Sequence, residues 1–311
     1  MSPYFLFFIG LSLLLIGGDF LVKSSTKISK KFKVPSIIIG LTIVSFATSA
    51  PELFISIEAI NSQKYDIIFG NVIGSNIANI CLVLAITLFF VNVKFNDLTK
   101  KIDIPFLVFS TLLFSGFLFI FRGITNWMGI IFFSFIALYF FILTKNSYRG
   151  NDVEKYNESK SNIVPQFLIL LISGLMLKFG ADWLISGVTN IAIDFGVSDR
   201  VIAFSLVAVG TSLPELSTSF VAIYKKEKNL AVGNLIGSNI FNLLIVLGVT
   251  SMFDKIELVD MKVLTNDVLF LNVGTLLFCL VVYSEYLNKN NKLSGFLLLC
   301  FYIFFLVFAT V

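Results

Sequence analysis

The chain has 311 residues, of which 57% are hydrophobic and only 14% are charged, and its formal net charge is +4. With a mean hydropathy of +0.93, this composition excludes a soluble domain folded around one core and indicates a protein whose solvent is mostly lipid. Histidine is absent from the sequence, which removes the commonest proton-relay side chain and most transition-metal sites. Any ion chemistry is therefore expected to use oxygen ligands.

Ten apolar stretches follow one another along the chain, each about as long as the ~20 residues that a helix needs to cross a bilayer. They lie at residues 3–22, 34–60, 66–91, 103–121, 125–144, 163–187, 199–224, 230–252, 264–283 and 293–310. The first is predicted to be a retained helix and not a secretory signal, because no basic segment precedes it and Asp19 stands at its end. The expected fold class is an all-α polytopic membrane protein with ten transmembrane helices. Helices 2, 3, 7 and 8, which carry repeated polar motifs, are expected to be interrupted near the midplane.

Lysine and arginine collect on the cytoplasmic side of membrane helices. Taken alternately, one set of connections holds seventeen of these residues and the other set holds five. This bias predicts a multi-pass protein of the plasma membrane with both termini outside the cell. The alternative, that the basic runs bind nucleic acid or a partner protein, is disfavoured because the bias follows the alternation of the helices. The lipid bilayer is the expected partner, with no nucleic acid and no obligate protein partner.

The sequence is duplicated with an offset of 163 residues, which aligns Glu52 with Glu215 and Asn71 with Asn234 without a gap. Each copy contains five predicted helices, an odd number, so the second copy enters the membrane from the opposite side. We therefore predict a first five-helix repeat at 1–144, a cytoplasmic linker at 145–162 and an inverted second repeat at 163–311. Inverted repeats with interrupted helices are common in secondary transporters, where the substrate binds at the midplane.

The motif TSAPEL at 48–53 places a proline and a glutamate in the middle of an apolar stretch, and TSLPEL repeats it at 211–216. Because proline lacks an N–H and its ring collides with the preceding turn, the first of these helices is predicted to break near Ala50. A break at membrane depth is tolerated where it lines a cavity. Carbonyl oxygens from residues 45–48 are therefore expected to converge with the carboxylate of Glu52.

A capping box, in which Ser49 pairs with Glu52 and Ser212 with Glu215, is the structural alternative. Capping alone does not explain a charge at mid-membrane, where insertion costs ~2.5 kcal/mol or more and an uncharged residue would cap as well. We therefore favour a functional site. Two rows of oxygen side chains, each spaced four residues apart, are expected to share a helix face: Thr48, Glu52 and Ser56, and Thr211, Glu215 and Ser219.

A second motif, GNVIGSN at 70–76, returns as GNLIGSN at 233–239. Its paired glycines, Gly70 with Gly74 and Gly233 with Gly237, have the spacing that lets two membrane helices approach closely. Neutral oxygen acceptors follow one turn apart: Ser75 and Asn79, and Ser238 and Asn242. Four other asparagines are further candidate ligands, although their expected role is to satisfy broken backbone: Asn71, Asn76, Asn234 and Asn239.

The two copies together supply two carboxylates, two amides, several hydroxyls and loose carbonyls. This set suits a hard cation such as calcium, which takes six to eight oxygens at ~2.3–2.6 Å, and sodium can use the same groups. Two facing carboxylates without a cation would cost several kcal/mol each in a low-dielectric interior. The site is therefore expected to cross the membrane loaded or protonated, which predicts exchange and not leak.

The doubled G/A-T-S-x-P-E and G-N-x-I-G-S-N motifs resemble the two alpha-repeats of the sodium/calcium exchanger family, prokaryotic type, within the calcium/cation antiporter superfamily. The resemblance covers the whole chain. It implies a central calcium site formed by Glu52 and Glu215 with the carbonyls of Thr48 and Thr211. It also implies sodium ligands at further positions: Ser49, Ser75, Asn79, Ser212, Ser238, Asn242 and the carbonyls of Ser45 and Ala208.

Alternating access is also implied by this resemblance, with the first and sixth helices sliding across the core. These helices carry Asp19 and Asp182, which we expect to mark helix ends at the interface. The sequence departs from the family pattern at two positions. Ala47 stands where the second copy has Gly210, which is expected to stiffen the first break. Asn242 stands where some exchangers have aspartate, which leaves the site two formal charges.

The sequence therefore predicts a secondary antiporter that exchanges sodium for calcium, with no enzymatic activity and no cofactor. A proton-coupled calcium or divalent-cation antiporter that uses the same glutamates is the nearest alternative, and it stays open. A cation channel or a non-transporting scaffold is disfavoured, because a channel needs no inverted duplication and a scaffold would tolerate neutral residues at both glutamate positions.

Overall fold

A computed structural model describes residues 2–147, 163–195 and 210–310, and this part of the chain is almost entirely helical. It contains nine helices that are long and apolar enough to cross a membrane. The predicted all-α polytopic class is confirmed. The seventh predicted stretch, 199–224, begins outside the described residues, and its described part forms a helix from Leu213 to Tyr224. Most of the predicted linker, residues 148–162, also lies outside the described residues. Its first three residues, 145–147, continue a helix.

The elements of the first copy are α1 (Pro3–Phe32), α2 (Ser36–Ile39), the π-helical segment π1 (Gly40–Val44), α3 (Ser45–Asn61), α4 (Tyr65–Ala78), π2 (Asn79–Val83), α5 (Leu84–Phe90), π3 (Thr99–Asp103), α6 (Ile104–Phe121), β1 (Gly123–Ile124) and α7 (Asn126–Ser147). Those of the second are α8 (Ile163–Asp194), α9 (Leu213–Tyr224), α10 (Lys228–Phe241), π4 (Asn242–Val246), α11 (Leu247–Phe253), β2 (Ile256–Glu257), π5 (Val263–Asp267), α12 (Val268–Tyr283), α13 (Glu285–Lys289) and α14 (Asn291–Thr310).

The described residues divide into two compact units, and each unit takes residues from both sequence copies. The first unit comprises residues 2–48, 163–195 and 210–235, and the second comprises 49–147 and 236–309. The boundaries between the units fall inside α3 and α10. The compact units and the predicted repeats are therefore two different divisions of the chain.

In the first unit, α1 packs along α8, and glycines set the distance between the two backbones. A Cβ on Gly10 would lie 2.7 Å from the carbonyl oxygen of Gly180, and a Cβ on Gly187 would lie 2.6 Å from the backbone nitrogen of Phe7. No side chain fits at these positions, so small residues are what allow the close approach.

The predicted location of Asp19 at a helix end is wrong, because α1 continues to Phe32. The carboxylate of Asp19 forms ion pairs with Lys23, one turn later (2.7 Å), and with Lys225 at the end of α9 (2.5 Å). Asp182 also lies inside its helix, α8. The prediction placed the end of α1 where the apolar residues end. The backbone stays helical beyond that point, with buried serines on one face and lysines on the other.

In the second unit, α7 packs on α11, and α12 packs on α4 and α6. Among the nine described spans, the two with the GSN motifs (residues 74–76 and 237–239) are the most buried: 94% of the apolar window in Lys228–Phe253, whose first turns belong to the first unit, and 78% of that in Tyr65–Phe90 are buried, against 33% in Thr99–Phe121. Two short strands, β1 and β2, pair antiparallel, a feature that the sequence did not predict. The polar motifs are thus placed on helices that are shielded from lipid.

Candidate functional site

The predicted break near Ala50 is wrong, because α3 runs as one helix from Ser45 to Asn61 with Pro51 inside it. The departure from α-helical geometry lies upstream, in π1. Two more π-helical segments begin at Asn79 and at Asn242, which are both predicted ion ligands. Single π turns inside α-helices are frequent at functional sites. The helices that carry the motifs therefore contain widened π-helical turns, but these turns do not lie at the proline.

Hydroxyl groups of the first unit stabilise the turn before Pro51. The Ser45 hydroxyl donates to the carbonyls of Gly40 (2.7 Å) and Asn234 (3.0 Å), and the Thr48 hydroxyl donates to the Oδ1 of Asn234 (3.1 Å). Pro51 has no N–H for the carbonyl of the residue four positions earlier, so this turn has one main-chain hydrogen bond fewer than a regular helix, and the two hydroxyls connect it to Asn234. Both hydroxyls are fully buried.

In the second unit, Glu52 and Ser56 lie on one face of α3, as predicted. The Nδ2 of Asn71 on α4 donates to the backbone carbonyl of Glu52 (2.9 Å) and to the Ser56 hydroxyl (3.0 Å). The side chains of Glu52 and Ser56 are fully buried. The Asn71 side-chain amide therefore connects α4 to Glu52 and Ser56 on α3.

The two GSN motifs meet inside the second unit. The Nδ2 of Asn242 donates to the Ser75 hydroxyl (3.0 Å), and the Nδ2 of Asn239 donates to the carbonyl of Asn76 (3.3 Å). Within the described residues, the Oδ1 of Asn242 and both amide atoms of Asn79 have no hydrogen-bond partner although they are buried. Since an unpartnered buried amide is costly, these oxygens are well suited to a ligand that completes their bonding.

The other asparagines Asn71, Asn76 and Asn239 contact the backbone as expected, while their Oδ1 atoms have no hydrogen-bond partner in the described part of the chain. Each of these amides donates to a main-chain carbonyl, that of Asn76 to Val72 O at 2.7 Å within its own helix. Asn234 differs, because it accepts from Ser45 and Thr48 through its carbonyl and its side chain.

The close packing predicted for the glycines of the second motif is present at Gly233 and absent at Gly70 and Gly74. A Cβ on Gly233 would meet the carbonyl of Ile37 and would lie 3.0 Å from the nitrogen of Leu41. A Cβ on Gly70 or Gly74 would have nothing within 4 Å, so the prediction is wrong for these two. The spacing permits close packing, but only a partner helix at that face makes use of it.

The TSLPEL motif in the first unit has a different local structure. Gly210 is helical, residues 211 and 212 form a turn, and α9 begins at Leu213 with Pro214 in its first turn. Ser212 occupies the N-cap position, yet its side chain makes no capping hydrogen bond. The capping-box alternative is therefore contradicted here, and it is contradicted for Ser49 because that residue lies inside α3.

Glu215 is fully buried in the first turn of α9, and Ser212 and Ser238 are buried too, whereas Thr211 is only partly buried. Ala208 lies outside the described residues. Thr218 was not among the predicted site residues, yet its buried hydroxyl has no hydrogen-bond partner in the described part of the chain. The run Ser217–Thr218–Ser219 in an otherwise apolar helix was the signal for it.

Each predicted site residue that is described thus falls within one of the two units. The first unit holds Ser45, Thr48, Thr211, Ser212 and Glu215, and the second holds Ser49, Glu52, Ser75, Asn79, Ser238 and Asn242. The pairing of Glu52 with Glu215 stays a prediction. The described residues contain no group of three His, Cys, Asp or Glu side chains placed to hold a metal.

Comparison with known proteins gives consistent matches along the whole chain. The profile of the family described as sodium/calcium exchanger protein matches residues 2–145 and 165–311. A protein of Alkalimonas amylolytica, provisionally named antiporter CaxA, is 34% identical over 95% of this chain and 94% of its own length. The sodium/calcium exchanger MaX1 of Methanosarcina acetivorans is 29% identical over 98% of this chain and 97% of its own length.

A solved structure has a similar fold. The sodium-calcium exchanger NCX_Mj, soaked with sodium and calcium, superposes with a TM-score of 0.81 at 29% sequence identity, and the match covers 98% of each chain. The similarity therefore extends over both sequence copies and not over one motif alone.

Proposed function

Because the chain belongs to the sodium/calcium exchanger family of membrane transporters, we propose that it exchanges sodium for calcium across the cell membrane by alternating access. One observation carries the proposal: each sequence copy buries one glutamate completely, Glu52 and Glu215, in a chain of membrane-length helices. An ionisable side chain at that depth is expensive, and it is retained where it binds an ion. MaX1 and NCX_Mj, both named as sodium/calcium exchangers, support the choice of ions.

In this proposal, Glu52 and Glu215 hold one cation between them at the bilayer midplane, with the carbonyls of Thr48 and Thr211 as further calcium ligands. Two carboxylates supply two negative charges, which match one calcium ion. Neutral oxygens supply the sodium ligands: Ser49, Ser75, Asn79, Ser212, Ser238, Asn242 and the carbonyls of Ser45 and Ala208. The buried amide and hydroxyl oxygens without partners at Ser49, Asn79, Ser212 and Asn242 support this part of the proposal.

The same charges explain why the carrier exchanges ions instead of leaking them. Two carboxylates that share one low-dielectric site repel each other unless a cation or protons bind, so an empty site crosses the membrane far less readily than a loaded one. In this scheme the repeats 1–144 and 163–311 have opposite orientations, the linker 145–162 is cytoplasmic and both termini lie outside. The distribution of lysine and arginine supports that orientation.

The test is calcium uptake into proteoliposomes that contain the purified protein and are preloaded with sodium. We expect uptake when the sodium gradient points outward and none when potassium replaces sodium on both sides. In a parallel arm, a proton gradient replaces the sodium gradient. Uptake that follows protons and ignores sodium would identify the proton-coupled antiporter, and uptake that ignores both gradients would overturn antiport.

A further inference from the structure

The amide of Asn71 bridges one turn of α3. Its Nδ2 donates both to the carbonyl of Glu52 (2.9 Å) and to the hydroxyl of Ser56 (3.0 Å). These acceptors are four residues apart and therefore lie one turn apart on the same face. Both N–H hydrogens of the amide are used in these bonds, and its Oδ1 has no hydrogen-bond partner among the described residues.

Asn71 also belongs to a row on its own helix. Asn71, Ser75 and Asn79 are spaced four residues apart, so they share a face of α4 and its continuation into π2. The amide of Asn71 thus connects the turn that carries Glu52 to the face that carries two proposed sodium ligands.

The turn held by Asn71 follows a weak point in α3. Pro51 removes one main-chain hydrogen bond immediately before it, and a proline is the commonest place for a helix to bend. A bend there would swing the Glu52 side chain relative to α4. We propose that Asn71 is a positioning residue, which fixes the Glu52 carboxylate at a set distance from the Ser75 and Asn79 oxygens and so sets the size of the bound cation. The inference rests on the proposed function, because it takes Glu52 as an ion ligand.

The proposal concerns the first copy only. The equivalent residue of the second copy is Asn234, and it has a different task, because its Oδ1 accepts a hydrogen bond from the Thr48 hydroxyl (3.1 Å). A variant at Asn71 is expected to affect ion size selectivity through Glu52.

The experiment compares calcium with strontium, a larger ion of the same charge, in the sodium-driven uptake assay. We expect Asn71→Ala to raise the KM for calcium about tenfold, the effect of losing two hydrogen bonds, and to raise the KM for strontium less, because a displaced ligand suits a larger ion. The ratio of the two KM values should change at least about threefold. A purely structural role lowers the amount of active protein and the maximal rate, but it leaves this ratio unchanged.

Asn272→Ala is the matched control. The Nδ2 of Asn272 on α12 donates to the Ser115 hydroxyl of α6 (2.8 Å) and to the carbonyl of Val268 (2.7 Å), which are the same bond types away from the motifs. We expect its KM ratio to equal that of the wild type. Should Asn71→Ala fail to fold, Ser56→Ala removes one of the two acceptors and is expected to shift the ratio in the same direction by a smaller factor.

An unchanged ratio in folded Asn71→Ala or in Ser56→Ala, or an equal shift in Asn272→Ala, would overturn this inference. A wild-type protein without sodium-driven calcium uptake would instead overturn the proposed function, so the two failures are distinguishable.

Discussion

The two TSxPE motifs have nearly the same sequence but different local structure. Around Pro51, α3 is continuous from Ser45 to Asn61, whereas near Pro214 residues 211 and 212 form a turn and α9 begins at Leu213. The residue before each motif differs: Ala47 in the first copy and Gly210 in the second. Alanine favours a helix over glycine by about 1 kcal/mol. A proline therefore permits a helix to stop, but its neighbours decide whether it does.

Tertiary contacts act in the same direction as this local preference. The hydroxyls of Ser45 and Thr48 donate to Asn234, which stabilises the turn before Pro51 in helical form. Ser212, at the start of α9, makes no side-chain capping bond. Glu52 and Glu215 thus have nearly the same sequence neighbours but different structural neighbours.

The largest expected effect tests whether the two copies are equivalent in binding despite this difference. Glu52→Gln and Glu215→Gln should each reduce kcat/KM for sodium-driven calcium uptake at least about 100-fold, because each removes a charged ligand worth ~3 kcal/mol. Glu58→Gln is the control, since Glu58 is an exposed carboxylate on the same helix as Glu52. A near wild-type rate in either variant would show that only one copy supplies a binding carboxylate.

The next prediction compares the equivalent glycines Gly233 and Gly70. Gly233→Ala should lower the free energy of unfolding by about 2 kcal/mol, because its Cβ would meet main-chain atoms of Ile37 and Leu41. Gly70→Ala should raise it by up to ~1 kcal/mol, since the added methyl has open space and alanine is the better helix former. Thermal denaturation in detergent, followed by helical ellipticity, measures both. Changes of the same sign would contradict the comparison.

Swapping the residue before each motif, Ala47 and Gly210, tests whether this residue causes the different helix geometry. Gly210→Ala should favour helix at the turn by about 1 kcal/mol, push on the side chain of Ile185 and slow exchange several-fold. Ala47→Gly should weaken α3 by about the same amount. Hydrogen exchange of the amides at 48–52 and 211–216 reports the two changes. If protection in both segments is unaltered, the local propensity difference is not the cause.

The smallest effect on stability is expected for Ser212→Ala. Because Ser212 makes no capping bond, the free energy of unfolding should change by less than ~0.5 kcal/mol, while the sodium concentration for half-maximal exchange should rise a few-fold through loss of a proposed ligand. Ser284→Ala is the matched control: the Ser284 hydroxyl accepts from the Leu287 N–H at the start of α13. It should cost about 0.5–1 kcal/mol and leave sodium dependence unchanged. The opposite pattern would restore capping as the role of Ser212.

Much of the fold was predictable, because hydropathy and the length of apolar stretches depend on the solvent of each segment. All nine described spans coincide with predicted stretches. The ends of α1 and α8 were misplaced, since a helix does not stop where its apolar surface stops. The break predicted near Ala50 was wrong, because α3 continues although Pro51 removes one main-chain hydrogen bond. The sequence showed that loss but not the hydrogen bonds that Ser45 and Thr48 donate to Asn234.

The candidate site was likewise predictable from the sequence only in part. The motifs predicted that Glu52 and Glu215 are special, and both side chains are fully buried. Sequence symmetry suggested that equivalent residues act alike, but Asn71 donates to α3 whereas Asn234 accepts from it. Likewise, Gly233 packs tightly and Gly70 does not.

By itself, the sequence determined that the chain is a polytopic helical membrane protein, that it is duplicated, that it resembles sodium/calcium exchangers, and that each copy places one glutamate in an apolar span. These properties depend on residue type and spacing, which are local. Only the tertiary structure decided where the helices widen, which glycines pack and which partner each asparagine has. The compact units combine residues from both copies, so identical motifs meet different neighbours, and those neighbours are set by contacts between segments far apart in the sequence.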